Sequence, residues 1–334
     1  MDPQRFTQLM KITAPIMNGS AFQIKTAQTG LCFASLLTWM QVGLSGGFIV
    51  GPTRHGKTCA ARWALKAIKK ALAIFLPIYE IPVRKQIDAR ERAFFEHILR
   101  CVRHRDWKDG TAGTKRNRLN DFLAARARTS PLKTVVLYFD EAQFLHDQHW
   151  EWLLNIANES VESNIRIFFL FSGPQELAQA REKYVARGMT QLVGRFMSVV
   201  FEINGLKSRE QLAECLQEFS DVVYPKAKGQ RLVSHFVDPS VRADFSLASY
   251  ASAMWEGFSA KADEVYPQGD LTDNLILPMH YVTAAVLHFL TGLATNEEPG
   301  FTDAQLLEHA ISACGFIDFI RSTNIERKAE ERYG

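Results

Sequence analysis

The sequence is poor in the features that mark secreted and membrane proteins. Only five of its 334 residues are cysteine, an odd number, and they are scattered without a CxxC pair. This pattern predicts neither a disulfide framework nor a zinc site. No run of 18 apolar residues occurs, and the first residues do not resemble a signal peptide. We therefore expect a protein of the reducing cytoplasm that has no membrane span.

A strong overall charge is also lacking, but the charge is unevenly distributed. The chain has a formal net charge of +3, whereas residues 84–128 hold 13 Lys and Arg against 6 Asp and Glu. The other residues hold 26 basic and 30 acidic side chains. A regional excess of one sign indicates a surface that faces an anionic partner, although two solvated helix faces would give the same composition.

Residues 51–58 carry the strongest motif of the chain, G-x-x-x-x-G-K-T. A short apolar run precedes it and helix-forming residues follow it, which is the strand–loop–helix context of a phosphate-binding P-loop. In such a loop, backbone N–H groups converge on phosphate oxygens at a helix N-terminus. Lys57 is expected to reach the β- and γ-phosphates of ATP, and Thr58 to ligate Mg²⁺. The predicted nucleotide-binding residues are Gly51, Pro52, Thr53, Arg54, His55, Gly56, Lys57, Thr58 and Cys59.

Residues 134–141 read TVVLYFDE, an apolar β-branched strand that ends in two carboxylates. This is the Walker B pattern, in which Asp140 would hold Mg²⁺ through water and Glu141 would orient and polarise the attacking water. Ser172 ends a further predicted strand and is a candidate sensor beside the γ-phosphate, or else a turn or helix-capping serine. Arg195 is a candidate arginine finger for a neighbouring subunit, with Arg187 in reserve; a surface ion pair is the other interpretation of Arg195.

The pattern of apolar residues predicts an α/β region followed by helices. Predicted strands cover 47–50, 73–81, 134–141, 165–171 and 197–203. Predicted helices cover 31–40, 86–102, 115–128, 175–184, 208–219, 247–261, 279–293 and 302–320. We therefore divide the chain into a lead-in (1–45), a nucleotide-binding core (46–204), a helical lid with a C-terminal extension (205–320) and a charged tail (321–334).

The basic region lies between the second and third predicted strands. Its candidate DNA-binding residues are Arg103, Arg105, Lys115, Arg116 and Arg118. A base-reading motif such as a zinc finger is not visible, so contacts with double-stranded DNA are expected to be mainly with phosphates.

Taken together, the motifs resemble those of AAA+ ATPases. The resemblance implies a P-loop NTPase core with a five-stranded parallel sheet of order 5-1-4-3-2, flanked by helices and followed by a small all-helical lid. Within that class, GPTRHGKT, VVLYFDEAQ with the following His146, FFLFSGPQEL and QLVGRF resemble the TnsC/TniB group of transposition ATPases, including those of CRISPR-associated transposons.

The TnsC/TniB resemblance implies a bacterial, DNA-associated regulator of transposition. In that group, ATP drives assembly into a ring or helical filament, here expected to be hexameric or heptameric, on target DNA. The assembly links a TniQ-type target selector to the transposase, and ATP hydrolysis dismantles it. A lid arginine equivalent to the family's sensor 2 is not identified in this sequence.

Three other classes remain as alternatives. An AAA+ helicase loader or replication initiator would share the core, and a winged-helix or helix-turn-helix extension would favour it. A secretion-associated ATPase should carry an envelope-facing part or an anchor. A kinase is disfavoured because the Asp-Glu pair suits the activation of water better than that of a hydroxyl acceptor.

Overall fold

The computed structural model describes residues 3–18, 22–225, 227, 229–266, 275–295 and 300–322. The chain divides into two compact units. The sheet unit comprises Thr29–Thr53 and Lys57–Ile203, and the helical unit comprises Met1–Gln28, Arg54–Gly56 and Asn204–Gly334. Most of the predicted charged tail, 323–334, lies outside the described residues. Among the helices of the described part, none has the length and apolar character needed to cross a bilayer.

Five parallel strands form the sheet. They are β1 Gly46–Val50, β2 Ile78–Pro82, β3 Thr134–Asp140, β4 Arg166–Gly173 and β5 Val200–Glu202. Their order is β2-β3-β4-β1-β5, and every pairing is parallel. The predicted order 5-1-4-3-2 is confirmed. In this order the P-loop strand β1 has β4 as one neighbour, and the carboxyl ends of all five strands lie at one edge of the sheet.

Twelve α-helices of the described chain have the following bounds: α1 Pro3–Met17, α2 Ala27–Gln41, α3 Lys57–Leu72, α4 Glu91–Cys101, α5 Ala112–Arg128, α6 Asp147–Glu162, α7 Glu176–Ala186, α8 Thr190–Phe196, α9 Arg209–Asp221, α10 Ala251–Val265, α11 Met279–Thr295 and α12 Asp303–Ala313. A further helical segment covers 316–322.

The sheet is covered on both faces, and the strand β3 shows why. Val135, Leu137 and Phe139 pack into a core with α4 to α8, whereas Val136 and Tyr138 pack into a second core with α2 and α3. Alternate side chains of a strand point to opposite faces, so a strand buried on both faces is apolar throughout. The same alternation places Tyr138 and Asp140 on one face.

The helical unit has its own core, centred on α11. That helix is almost entirely apolar and is buried along most of its length, with α1, α9, α10 and α12 contributing to the same cluster. In this unit, Leu206 and Leu277 exchange backbone hydrogen bonds in an antiparallel bridge. A Cβ atom at Gly205 would lie 2.1 Å from the Leu277 carbonyl oxygen, so this approach requires glycine.

Several predicted boundaries differ from the structure. The second strand starts at Ile78 rather than at residue 73, because parallel pairing with β3 begins there. The helix predicted over 86–102 begins only at Glu91. The helix predicted over 302–320 is interrupted at Gly315, whose φ is +84°. The helix α1 was not predicted.

The region ahead of the fifth strand also differs. The helix α8, Thr190–Phe196, was not predicted, and β5 covers only three residues, Val200–Glu202, of the strand expected over 197–203.

All five cysteines are free thiols in the structure. Cys32 and Cys215 are buried, and burial raises the pKa of each thiol to about 12. Burial also raises the pKa of the half-buried Cys59, Cys101 and Cys314. The thiols are thus held in the protonated, poorly nucleophilic form.

Candidate functional site

The predicted P-loop connects β1 to α3, as its sequence context requires. Lys57 is the first residue of α3, and its Nζ donates hydrogen bonds to the carbonyl oxygens of Gly51 (2.8 Å) and Pro52 (2.9 Å). Burial lowers the pKa of Lys57, and the charges of Glu141, Asp140 and Glu176 partly offset this effect. The ammonium group therefore lies within the loop and close to the acidic end of β3.

Backbone geometry makes glycine necessary in this loop. A Cβ atom at Gly51 would lie 2.2 Å from the carbonyl oxygen of Ile203, the residue that follows β5. Gly56 has φ of +93°, a conformation that side chains with a Cβ seldom adopt. Within the helical unit, to which Arg54–Gly56 belongs, the Arg54 carbonyl accepts a hydrogen bond from the backbone N–H of His280.

Three hydroxyl groups converge on the Asp140 carboxylate at the end of β3. The Thr58 Oγ1 lies 3.1 and 3.0 Å from its two oxygens, so the start of α3 is joined to the end of β3. The Ser172 hydroxyl donates to Oδ1 at 2.5 Å, and the Tyr138 hydroxyl lies 3.0 Å from the same oxygen. The Tyr138 and Ser172 oxygens are 2.9 Å apart. The structure therefore brings together three residues predicted separately, and adds Tyr138.

Glu141 adopts a left-handed backbone conformation, with φ of 60° and ψ of 43°. It turns the chain from β3 into a short 3₁₀-helix, Ala142–Phe144. Such a conformation is costly for a residue other than glycine, and in enzymes it is concentrated at functional sites. The exposed Glu141 carboxylate accepts a hydrogen bond from Gln143 Nε2 at 2.6 Å. The turn directs the chain so that the two adjacent carboxylates occupy different surroundings.

The two candidate finger residues have partners in the chain itself. Arg195 is half-buried in a cleft of about 470 Å³ beside α6 and α8, where its Nη2 donates to Asn158 Oδ1 at 3.3 Å. Arg187 is bound to Asp147 at 2.5 Å, and Lys183 and Tyr184 hold the same carboxylate. These contacts lower the pKa of Asp147 to about 2, with the Tyr184 hydrogen bond as the largest cause. Arg195 therefore has the weaker restraint of the two arginines.

The basic region contains one residue that is not on the surface. Lys115 was predicted to contact DNA, but its side chain is 0% exposed. Its Nζ donates to Glu96 Oε2 (2.9 Å) and to the carbonyl oxygens of Trp107 (2.7 Å) and Lys108 (2.6 Å). The prediction that Lys115 contacts DNA is therefore corrected. Its side chain holds the 103–110 loop through hydrogen bonds and is not accessible to solvent.

The other predicted DNA-contacting residues differ in their exposure and in their hydrogen-bond partners. Arg103 and Arg105 are exposed on the 103–110 loop. Arg118 is half-buried and donates to the carbonyl oxygens of Asp106 and Asp109 in that loop, the latter at 2.7 Å. Arg116 is half-buried and lies 3.4 Å from Glu91. Arg103 and Arg105 are thus the most accessible of the predicted contacts, while Arg118 acts with Lys115 on the loop backbone.

Comparisons with known proteins agree with the fold described above. Residues 44–180 match the family model of the AAA domain. No curated protein matches the chain. The structure is similar to that of the Aeropyrum pernix ORC2 protein in its ADP form, with a TM-score of 0.55, 13% identity, and coverage of 87% of this chain and 69% of that one. It is also similar to the Walker-type ATPase PABY2304 of Pyrococcus abyssi, with a TM-score of 0.50, 11% identity, and coverage of 90% and 75%.

The fold is therefore that of the AAA+ proteins, with a helical C-terminal region. Residues 44–180 form an AAA-type P-loop ATPase domain, and the protein is an ATPase.

Proposed function

We propose that the chain binds ATP with Mg²⁺ at the end of β3 and β1, and that nucleotide binding controls its assembly on DNA. The observation that supports the binding of ATP with Mg²⁺ is the direct contact between the Thr58 hydroxyl and the Asp140 carboxylate. A hydroxyl and a carboxylate are the hard oxygen donors that Mg²⁺ prefers, so these residues fit the ion. When bound, Mg²⁺ would neutralise charge that develops on the phosphates.

The neighbouring side chains have distinct roles in this proposal. Lys57 exchanges its contacts with the Gly51 and Pro52 carbonyls for phosphate oxygens. Glu141 orients the attacking water as an anionic acceptor, and its exposed position at the turn supports this role. Ser172 reports on the γ-phosphate from the end of β4. Arg195 acts in trans, on the nucleotide of a neighbouring subunit.

For DNA, we propose that the exposed cations around the 103–110 loop contact phosphates. Arg103 and Arg105 are the central residues, and Lys108 is also exposed on this loop. The Lys108 Nζ lies 5.0 Å from the centroid of the Trp107 ring. The loop backbone is held by Lys115 and Arg118, so the cations project from a fixed support. Contacts of this kind bind DNA with little dependence on its sequence.

The particular role that we propose is regulation of transposition. It rests on the resemblance of the four sequence segments to TnsC/TniB ATPases, and it implies a transposase and a TniQ-type selector as partners. A helicase loader or replication initiator is the alternative, since such proteins share the AAA+ fold.

The deciding experiment is electron microscopy of the protein with random-sequence duplex DNA, with and without a non-hydrolysable ATP analogue. Rings or filaments are expected only when nucleotide and DNA are both present, and Lys57→Ala should abolish nucleotide binding and assembly together. Assemblies that form equally well without nucleotide would contradict the proposal. Selection from a random duplex library separates the two roles: a regulator of this kind yields no consensus, whereas a sequence-reading initiator yields one.

A further inference from the structure

The hydroxyl of Tyr138 has no counterpart among the sequence motifs and lies at the centre of the site. The Tyr138 side chain is 1% exposed and that of Ser172 is 0% exposed. The two oxygens and Asp140 Oδ1 form a triangle with sides of 2.9, 3.0 and 2.5 Å. An apolar residue would satisfy the packing of β3 at this position. The contribution of the Tyr138 hydroxyl therefore lies in its hydrogen bonds.

Each hydroxyl has a single proton, which limits what the triangle can do. Ser172 donates to Asp140 in the structure. Tyr138 can then donate either to the Ser172 oxygen or to Asp140 Oδ1, because both lie within hydrogen-bond distance. The phenol is buried, and these two oxygens are its acceptors within the described part of the chain. A small rotation of the O–H bond exchanges one arrangement for the other without moving any heavy atom.

The hydrogen bonds of Asp140 would change when ATP and Mg²⁺ bind. If Thr58 turns to the metal ion and Ser172 turns to the γ-phosphate, Asp140 loses both of those donors at once. Asp140 is half-buried, and a carboxylate that loses its hydrogen-bond donors is less firmly oriented. Residues that hydrogen-bond to metal ligands fix the orientation of those ligands, and the hydroxyl of Tyr138, 3.0 Å from Asp140 Oδ1, is placed to do so.

We propose that Tyr138 is a positioning residue that takes over the hydrogen bond to Asp140 when the Ser172 hydroxyl turns to the γ-phosphate. The inference rests on the proposed binding of ATP and Mg²⁺. It adds that the candidate sensor Ser172 and the candidate metal ligand Asp140 are coupled through the phenol of Tyr138, which lies two residues before Asp140 on β3.

The test measures the Mg²⁺ concentration that gives half of the full increase in nucleotide affinity, using fluorescent ADP and a fluorescent non-hydrolysable ATP analogue. Tyr138→Phe keeps the ring and removes only the hydroxyl. With the ATP analogue, the required Mg²⁺ concentration should rise about tenfold, the lower end of the effect of removing such a supporting group. With ADP it should rise much less, because Ser172 still donates to Asp140. Nucleotide affinity measured in EDTA should be unchanged.

Matched variants separate this role from a structural one. Tyr79→Phe, on the neighbouring strand with its ring against Phe122, should leave every value unchanged. In a Ser172→Ala background, Tyr138→Phe should raise the Mg²⁺ requirement equally with ADP and with the ATP analogue, since no serine hydroxyl remains to help.

The outcomes are distinct. Equal effects of Tyr138→Phe on ADP and on the ATP analogue, with Ser172 present, would overturn the exchange of donors. The absence of any effect would overturn the positioning role. If the parent protein binds nucleotide without any response to Mg²⁺, the proposed function fails first, and this inference fails with it.

Discussion

At the scale of single residues, Glu141 combines an unusual backbone conformation with an exposed carboxylate. Its left-handed φ and ψ place it off the β3 direction, while Asp140, one residue earlier, is held by three hydroxyls. One carboxylate is held by hydroxyl groups, and the other is exposed and accepts a hydrogen bond from Gln143 Nε2. Two adjacent acids with such different surroundings are suited to two different tasks.

We predict that Glu141→Gln binds ATP normally but hydrolyses it about 10² to 10⁴ times more slowly, the usual contribution of a positioned acid–base group. The amide preserves size and turn geometry but cannot accept a proton as an anion. Nucleotide affinity and single-turnover hydrolysis in the presence of DNA provide the measurement. Parental turnover in this variant would remove Glu141 from the mechanism.

Much of this site could be predicted from the sequence, and the reason is local. Gly51 to Thr58 and Asp140–Glu141 are contiguous motifs whose chemistry depends on a few neighbouring positions. Tyr138 could not be predicted with them, because its partner Ser172 is 34 positions away and the contact depends on the register of β3 with β4. One available signal was that residues two apart on a strand share a face, which links Tyr138 to Asp140.

Among the elements, the 103–110 loop and α5 show how a buried charge supports a charged surface. Lys115 lies near the start of α5, whose N-cap Thr111 accepts from the Thr114 N–H. The hydrogen bond from Lys115 is the largest cause of the lowered pKa of Glu96. The sequence could not distinguish Lys115 from its neighbours, because the composition of a basic segment does not reveal which cation has a carboxylate and two carbonyls for partners.

Variants of this region should therefore separate into two classes. Arg103→Ala and Arg105→Ala should each reduce the slope of log affinity for DNA against log salt by about one, as expected for one lost phosphate contact. Stability should be nearly unchanged because both side chains are exposed. DNA titrations between low and moderate salt give the slope.

Lys115→Met should instead lower the free energy of unfolding by about 2–3 kcal/mol, the upper range for hydrogen bonds to a charged group. At temperatures where the variant is folded, its salt slope should match that of the parent. A flattened slope with parental stability would return Lys115 to the DNA-contacting set.

The helix α6 contains a buried histidine. His149 is 1% exposed, stacks on Phe94 at 4.6 Å and accepts a hydrogen bond from the His146 N–H through Nδ1. Burial lowers its pKa from 6.5 to about 4, and the charge of His146 acts in the same direction. A positive charge in the first turn of a helix is also disfavoured by the helix dipole.

Between pH 6.5 and pH 4 the unfolded chain binds a proton at this histidine that the folded chain does not. The free energy of unfolding should therefore fall as the pH is lowered through this range, by up to about 3 kcal/mol, and the contribution of His149 should level off below pH 4. Asp147 titrates lower, near pH 2. Tryptophan-monitored denaturation at each pH gives the profile, and His149→Phe should flatten it; an equally steep profile would assign the effect to other groups.

For the whole molecule, the question is whether one subunit completes the site of another. Arg195 lies in the last turn of α8 at a cleft on the sheet unit, and its hydrogen bond to Asn158 is long enough, at 3.3 Å, to be exchanged readily. Arg187, by contrast, is held by the low-pKa carboxylate of Asp147. The guanidinium of Arg195 could donate paired hydrogen bonds to a γ-phosphate that a neighbouring subunit binds.

We predict that Arg195→Ala leaves ATP binding to the monomer intact and lowers turnover by roughly 10³-fold or more, the scale of arginine fingers. Mixing Arg195→Ala subunits, which keep a sound P-loop, with Lys57→Ala subunits, which keep Arg195, should restore part of the activity at hybrid interfaces. Asn158→Ala serves as the control, since it frees Arg195 without removing it and should retain turnover. If mixed assemblies form on DNA and stay inactive, Arg195 does not act in trans and Arg187 is the next candidate.

The protected state of the five thiols gives the molecule a practical property. Because Cys32 and Cys215 are buried with pKa values of about 12, and the other three thiols are half-buried with raised pKa values, maleimide dyes should react slowly with the native protein. A single cysteine introduced at an exposed position such as Ser198 would then take the dye selectively. Labelled subunits could be counted one at a time as they arrive on a tethered DNA molecule, without first replacing any natural cysteine.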